Sequence, residues 1–139
     1  MTSFITVGHN AETAHRIPTL TGAGAKCRNV HGHSFWIEWT FRVDDLDADT
    51  AEFGAIKTVL KDWVDTHLDH GFVCHPGDDI GDVLEAAGLK VYRLAGGWPT
   101  TEAIAADIAD VTRKLLPQLT LTRVHVHEGR TNQASWEAQ

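Results

Sequence analysis

His31 and His33 stand two residues apart, between Cys27 and Phe35, in the stretch whose residue types are best suited to chemistry. If this stretch is a β-strand, alternate side chains point to one face, so both imidazoles lie side by side. A catalytic zinc ion has three protein ligands and one open position, and these histidines would supply two ligands. Cys27 is close enough in sequence to reach such a site or to act beside it. A half-exposed strand with two solvated histidines is the alternative for this motif alone.

His15 is the candidate for a third metal ligand. Apolar and β-branched residues predict a first strand over residues 3–15, with a bulge or kink at residues 8–10, and Pro18 follows its end. A hairpin would bring His15 against the second strand and next to the two other histidines. A histidine that only touches solvent at the strand end is the alternative.

The remaining pattern predicts an α+β domain that spans residues 1–139. Residues 31–43 alternate with period 2, which places His31 and His33 on the same face as the apolar side chains. Helical periodicity predicts two long helices, and we expect both to cover one face of an antiparallel sheet. The other predicted elements are a short helix over 80–88, strands over 90–94 and 119–128, and a tail of strand or coil, with Cys74 and His75 in a loop.

Composition and charge exclude several classes of protein. The net charge of −7 argues against a general nucleic-acid binder, which needs a basic face. No apolar run approaches the ~20 residues that span a bilayer, and the N-terminus lacks the pattern of a signal peptide. We therefore expect a cytoplasmic protein without a membrane partner, with both cysteines as free thiols. The acidic turn at residues 44–49 lacks the glycine and glutamate of an EF-hand and predicts a solvated loop.

Five motifs in chain order resemble the 6-pyruvoyl-tetrahydropterin synthase / 6-carboxytetrahydropterin synthase family. They are Ala14-His15-Arg16, Cys27 to His33 as Cys-x-x-x-His-Gly-His, Leu68-Asp69-His70, Pro99-Thr100-Thr101-Glu102 and Val126-His127-Glu128. The three-residue gap after Cys27 is typical of the bacterial queuosine-pathway branch. The sequence departs from the family pattern at Glu52, where Asp is usual, at Gly129, where Thr or Ser is frequent, and in a longer segment over 75–98.

The resemblance implies a role for each matching residue. His15, His31 and His33 would hold Zn²⁺; Cys27 would be the general base, with Asp69 and His70 completing the proton relay; Glu128 would anchor the pterin, with Thr100 and Thr101 beside it. The implied reaction converts 7,8-dihydroneopterin triphosphate to 6-carboxy-5,6,7,8-tetrahydropterin, acetaldehyde and triphosphate. Lys26, Arg28 and Lys57 are candidates for contacts with the triphosphate.

The resemblance also implies the tunnelling fold, in which a four-stranded antiparallel sheet carries two long helices on one face. Subunits of this fold assemble through their sheets into a barrel, usually as a dimer of trimers, with active sites between subunits. A homo-oligomer of this kind would protect its strand edges.

Three alternatives to the implied reaction stay open from the sequence. The same zinc site and base would also serve 6-pyruvoyl-tetrahydropterin formation. A non-catalytic zinc-binding module would use Cys27 as a fourth ligand, which closes the coordination sphere and gives no role to Asp69 and His70. A nucleophilic hydrolase would use Cys27 and His70 without any metal.

Overall fold

The protein is described by a computed structural model that covers residues 2–45 and 51–139, so most of the predicted acidic turn lies outside the described residues. The elements in chain order are β1 (Ser3–His15), a 3-10 helix (Gly22–Arg28), β2 (His31–Val43), α1 (Phe53–His67), β3 (Gly71–Cys74), α2 (Asp79–Ala86), β4 (Val91–Arg93), α3 (Thr101–Leu115), β5 (Thr120–Glu128) and β6 (Asn132–Glu137). Both long helices and the two long N-terminal strands lie where the sequence pattern predicts them.

The described strands form one mixed sheet in the order β4-β3-β1-β2-β5-β6. β1, β2, β5 and β6 are antiparallel, whereas β3 runs parallel to both β1 and β4. The prediction of a four-stranded antiparallel sheet is therefore wrong in strand number and direction. β3 escaped prediction because all four of its residues are buried, so it shows no alternation of polar and apolar side chains. Cys74, predicted in a loop, ends this strand.

β1 and β2 pair without interruption from Ser3 opposite Val43 to His15 opposite His31, so the bulge predicted at residues 8–10 is wrong. The absence of a side chain at Gly8 instead leaves room for the Trp36 ring. A Cβ atom at this position would come within 2.4 Å of the Trp36 ring, which lies across the strand. The register shift falls instead between β2 and β5, at Thr40 and Phe41.

Both long helices cover the same face of the sheet, as predicted, and we call it the helix face. The core on this face joins apolar side chains of β2 and β5 to those of the two helices: Phe35, Ile37, Trp39, Phe41, Val124 and Val126 with Ile56, Leu60, Val64, Ile104 and Ile108. The opposite face, here the outer face, carries the alternate residues of the same strands, including Trp36 and Glu38 on β2.

Within residues 2–45 and 51–139, none of the helices has both the length and the apolarity that crossing a bilayer requires.

A buried hydrogen bond joins β2 to α3 inside this core. The Trp39 indole donates to Thr112 Oγ1 over 3.0 Å, and Thr112 itself donates to the Ile108 carbonyl. We expect Thr112→Val to lower the free energy of unfolding by about 1–3 kcal/mol, because it leaves a buried N–H without an acceptor. On the exposed side of α1, the Thr58 hydroxyl likewise donates to the carbonyl four residues earlier in its helix, that of Gly54. Thr58→Val is the control, and equal losses in urea denaturation would contradict the prediction.

Candidate metal centre

Three histidines meet on the helix face at the end of the β1–β2 hairpin. His15 lies directly opposite His31 in the strand register, and His33 follows two residues along β2. Ring centroids are 4.6 Å apart for His15 and His31, 5.2 Å for His15 and His33, and 4.9 Å for His31 and His33. One ligand atom of each ring lies within 4.8 Å of the others. The hairpin thus places His15 beside the His-x-His motif, as the sequence predicts.

The free nitrogens of these rings fit a metal ion. His15 Nδ1 lies 2.8 Å from the Pro99 carbonyl and His31 Nδ1 2.7 Å from the Asn29 carbonyl. Because a carbonyl can only accept, each Nδ1 carries a proton, and in the neutral ring Nε2 then has a free lone pair. The Nε2 atoms of all three histidines are buried without a hydrogen-bond partner, which is costly unless a cation binds them.

Burial also prepares His15 as a ligand. It lowers the pKa of this ring, and the neighbouring histidines act in the same direction, while the bond to Pro99 opposes them only in part. The ring is therefore neutral at physiological pH, the form that binds metals. Three imidazole donors suit zinc and other borderline transition metals better than calcium or magnesium.

Glu128 lies beside the histidines at the end of β5. Its Oε1 is 3.3 Å from His33 Nε2, although the two atoms are not aligned for a hydrogen bond. The Thr101 hydroxyl, in the first turn of α3, donates to the other carboxylate oxygen. Thr100 accepts from the Ala103 amide as the N-cap of α3. The structure therefore brings Glu128 and Thr101 to the metal centre, and the Thr100 cap fixes the start of the helix.

Cys27 occupies the 3-10 helix that links the two strands of the hairpin. Its side chain is half-buried and not in a disulfide, and its carbonyl accepts from the Ile17 amide over 2.8 Å. Among the described residues, the group of mutually close ligand atoms at this site contains the three histidines and not the Cys27 sulfur. This geometry favours a three-histidine site with an open position over a closed four-ligand site.

Asp69 and His70 form a hydrogen-bonded pair at the end of α1. His70 Nδ1 lies 2.7 Å from Asp69 Oδ2, and the Glu12 amide donates to Asp69 Oδ1 over 2.8 Å. Burial tends to raise the pKa of Asp69, but these hydrogen bonds outweigh it and lower the pKa. In the turn that follows α1, His70 has a positive φ. Its side chain is 78% exposed, so the ring faces solvent in the single chain.

An ion pair that sequence reasoning missed fixes the loop behind His15. Arg16 binds Asp78 through two hydrogen bonds of 3.1 and 2.6 Å, and Asp78 is fully buried at the N-terminus of α2. The guanidinium also lies 5.9 Å from the ring of Trp98, the residue before Pro99. Arg16 therefore holds the segments that contain Asp78 and Trp98 against the end of β1, where His15 lies. A polar Pro-Gly-Asp-Asp turn gave no sign of this contact.

The same ion pair predicts a pH dependence. Arg16 and the Ile80 amide outweigh the effect of burial and lower the pKa of Asp78 below its usual value near 3.8. A carboxyl group with a lowered folded-state pKa stabilises the fold above its unfolded-state pKa, and this stability is lost as the pH falls through the folded-state value. We expect Asp78→Asn to destabilise the protein at pH 7 and the difference from the wild type to shrink below about pH 4. Thermal unfolding of the variant and the wild type at pH 7 and below about pH 4 measures this difference in stability. A difference that does not change with pH would contradict its origin in the charge of Asp78.

Comparison with known proteins agrees with this architecture. The sequence model of the family described as 6-pyruvoyl tetrahydropterin synthase matches residues 4–139. The chain is 36% identical over 112 residues to the 6-carboxy-5,6,7,8-tetrahydropterin synthase of Rickettsia bellii, covering 78% of this chain and 76% of that protein. It is 29% identical over 127 residues to the enzyme of the same name from Aquifex aeolicus, covering 82% and 77% of the two chains.

Solved structures show the same fold. An uncharacterized protein from Wolinella succinogenes superposes with a TM-score of 0.84 at 16% identity, covering 100% of this chain and 99% of that one. The 6-pyruvoyl tetrahydropterin synthase of Caenorhabditis elegans superposes with a TM-score of 0.72 at 18% identity, covering 100% and 97%. The match of the family model over nearly the whole sequence shows that this chain belongs to the 6-pyruvoyl tetrahydropterin synthase family.

Proposed function

We propose that this protein is a zinc-dependent lyase that converts 7,8-dihydroneopterin triphosphate and one water molecule to 6-carboxy-5,6,7,8-tetrahydropterin, acetaldehyde and triphosphate, in queuosine biosynthesis. The observation that carries the proposal is the trio of histidines with unpartnered Nε2 atoms next to the Glu128 carboxylate. The names of the relatives from Rickettsia and Aquifex favour this product over 6-pyruvoyl-tetrahydropterin, which the same site would also serve.

His15, His31 and His33 are the residues that would hold the zinc ion. When bound, zinc supplies a Lewis acid that makes protons next to the substrate's side-chain oxygens easier to remove. The carbonyls of Pro99 and Asn29 keep the His15 and His31 rings in the tautomer that binds a metal through Nε2. Three protein ligands leave one position for the substrate.

Proton transfer is assigned to Cys27, His70 and Asp69. In the proposal the Cys27 thiolate takes a proton from the side-chain carbon of the substrate, since the loop that carries Cys27 joins the two strands of the metal centre. His70 exchanges a proton with a side-chain hydroxyl through Nε2. Asp69 accepts from His70 Nδ1 over 2.7 Å and so fixes the tautomer that this exchange requires.

Recognition of the pterin is assigned to Glu128. A carboxylate accepts two N–H bonds from an amino-pyrimidinone edge in a directional manner, which selects for this ring. The Thr101 hydroxyl, already bound to Glu128, would hold the carboxylate in place. The Thr100 hydroxyl is occupied as the cap of α3, so its contribution is to position Thr101 beside the substrate.

The active form is proposed to be a cytoplasmic homo-oligomer, a dimer of trimers built through the sheets, without a nucleic-acid or membrane partner. The exposed His70 ring supports this assembly, because a solvent-facing relay pair is suited to complete the site of a neighbouring copy. β4 and β6 are the edges of the sheet in the described residues, and such edges can pair with another copy. Native mass spectrometry measures the subunit number, and a monomer that is active would contradict the shared site.

The test of the function is an assay of the zinc-loaded protein with 7,8-dihydroneopterin triphosphate, with products identified by mass spectrometry. The proposal predicts 6-carboxy-5,6,7,8-tetrahydropterin together with acetaldehyde. A pyruvoyl product would keep the site assignments and change the product. The absence of turnover by a protein that holds zinc would contradict the proposal, and turnover that persists after chelation would favour the metal-free hydrolase alternative.

A further inference from the structure

A second group of potential metal ligands lies on the outer face of the sheet. His125 and His127 stand two residues apart on β5, and Glu38 lies directly opposite His125 on β2. One ligand atom of each residue lies within 4.8 Å of the other two, and all three side chains are half-buried. These histidines have no part in the proposed reaction, since the metal centre lies on the helix face.

The second group repeats the strand geometry of the metal centre. In both, a His-x-His pair occupies one strand and a third ligand lies on the antiparallel neighbour, opposite the first histidine of the pair. His15 opposite His31 is the first case, and Glu38 opposite His125 is the second. Cross-strand neighbours lie close enough for their side chains to share one small ligand.

His127 and Glu38 are already joined by a hydrogen bond, which a bound ion would replace. His127 Nε2 is 3.1 Å from Glu38 Oε1, and the His125 and His127 ring centroids are 4.6 Å apart. Two donors at ~2.1 Å from a tetrahedral ion are separated by ~3.4 Å, so an ion fits between them after a small shift. His125 Nε2 donates to Gln133 Oε1 over 2.5 Å, since the other nitrogen of this ring accepts from Arg123.

We propose that Glu38, His125 and His127 form a second site for a divalent transition-metal ion, separate from the three-histidine centre. Two imidazoles and one carboxylate are donors typical of zinc, cobalt, nickel or iron(II), whereas calcium and magnesium prefer oxygen ligands alone. Zinc is the ion we expect to bind here.

Arg123 opposes binding at this site. Its Nη2 donates to His125 Nδ1 over 2.8 Å, so this ring nitrogen is free for an ion only when Arg123 moves away, and a positive charge stands next to the site. The guanidinium has a second partner in Glu137, with Nε 3.5 Å from Oε1, and it can turn toward this carboxylate when an ion binds. Removing the charge is therefore expected to tighten binding by about 30-fold, the effect of a unit charge on a divalent ion at ~4 Å in water.

Metal stoichiometry of the purified oligomer tests the proposal. The protein is stripped with a chelator, dialysed against Zn²⁺ or Co²⁺, and its metal content is measured with its Co²⁺ absorption spectrum. We expect two ions per chain in the wild type and one in both His127→Ala and His31→Ala. The combined variant His31→Ala/His127→Ala is expected to bind none. Glu38→Gln keeps the hydrogen-bonding shape without the charge and is expected to weaken the second site at least about tenfold.

In the His31→Ala background, Arg123→Gln is expected to tighten binding of the remaining ion, whereas the ligand substitutions weaken it. A variant that only disturbed the structure would not tighten binding. His9→Ala, which changes a histidine paired with Asp65 outside both groups, should keep two ions. Circular dichroism checks that each variant is folded. A wild type that binds one ion, lost in His31→Ala, would overturn the second site and leave the first intact. A second ion that survives in His127→Ala and Glu38→Gln would also overturn it.

Discussion

Replacing Cys27 by alanine is expected to lower the turnover of the zinc-loaded protein by about 10²–10⁴-fold, the usual contribution of a general base. The zinc content should stay at the wild-type level, because the mutually close ligand atoms of the metal centre are those of the three histidines. The product assay with 7,8-dihydroneopterin triphosphate and metal analysis of the same sample measure both quantities. The variant keeps its zinc if Cys27 is the base, and it loses zinc if Cys27 is a metal ligand.

Cys74→Ala is the matched control for this variant. Cys74 is fully buried in β3, and burial raises the pKa of its thiol, so it is neither accessible nor ionised at neutral pH. The control should lose some stability and keep its turnover per folded protein. Loss of one zinc ion from Cys27→Ala would instead make Cys27 a fourth ligand and favour the non-catalytic zinc module. Full turnover without Cys27 would assign the base to another residue.

Replacing His31 by alanine is expected to remove one zinc ion per chain and to reduce turnover to the background rate. Two histidines remain, and two protein ligands hold zinc far more weakly than three. His31 is preferable to His15 for this experiment, because His15 is only 1% exposed and its loss would also leave a cavity in the fold. Metal analysis after dialysis against a weak chelator measures the first effect, and the product assay measures the second.

His9→Ala serves as the control for the loss of a strand histidine. His9 lies on β1 and pairs with Asp65 of α1 at a partly exposed position, where an ion pair contributes about 0–1 kcal/mol. Its removal should leave zinc content and turnover unchanged. If His31→Ala retained full turnover after the loss of its zinc, the proposed metal-dependent reaction would be wrong, whatever the fate of the second site.

The sequence alone determined the parts of the protein that depend on local pattern. The alternation over residues 31–43 placed His31, His33 and the apolar side chains on one face, and the structure confirms this face. A strand that ends at His15, followed by another that begins at His31, predicted the hairpin that brings the three rings together. The helical periodicity likewise gave both long helices to within one or two residues.

The tertiary structure decided what depends on contacts between distant segments. β3 is short and buried on both faces, so its sequence has no alternation, and its parallel pairing with β1 turned the predicted antiparallel sheet into a mixed one. The contacts of Arg16 with Asp78 and of Thr101 with Glu128 likewise join elements far apart in the chain. Periodicity reports which face of its own element a residue occupies, whereas these partners were fixed only when sheet register and helix packing brought their elements together.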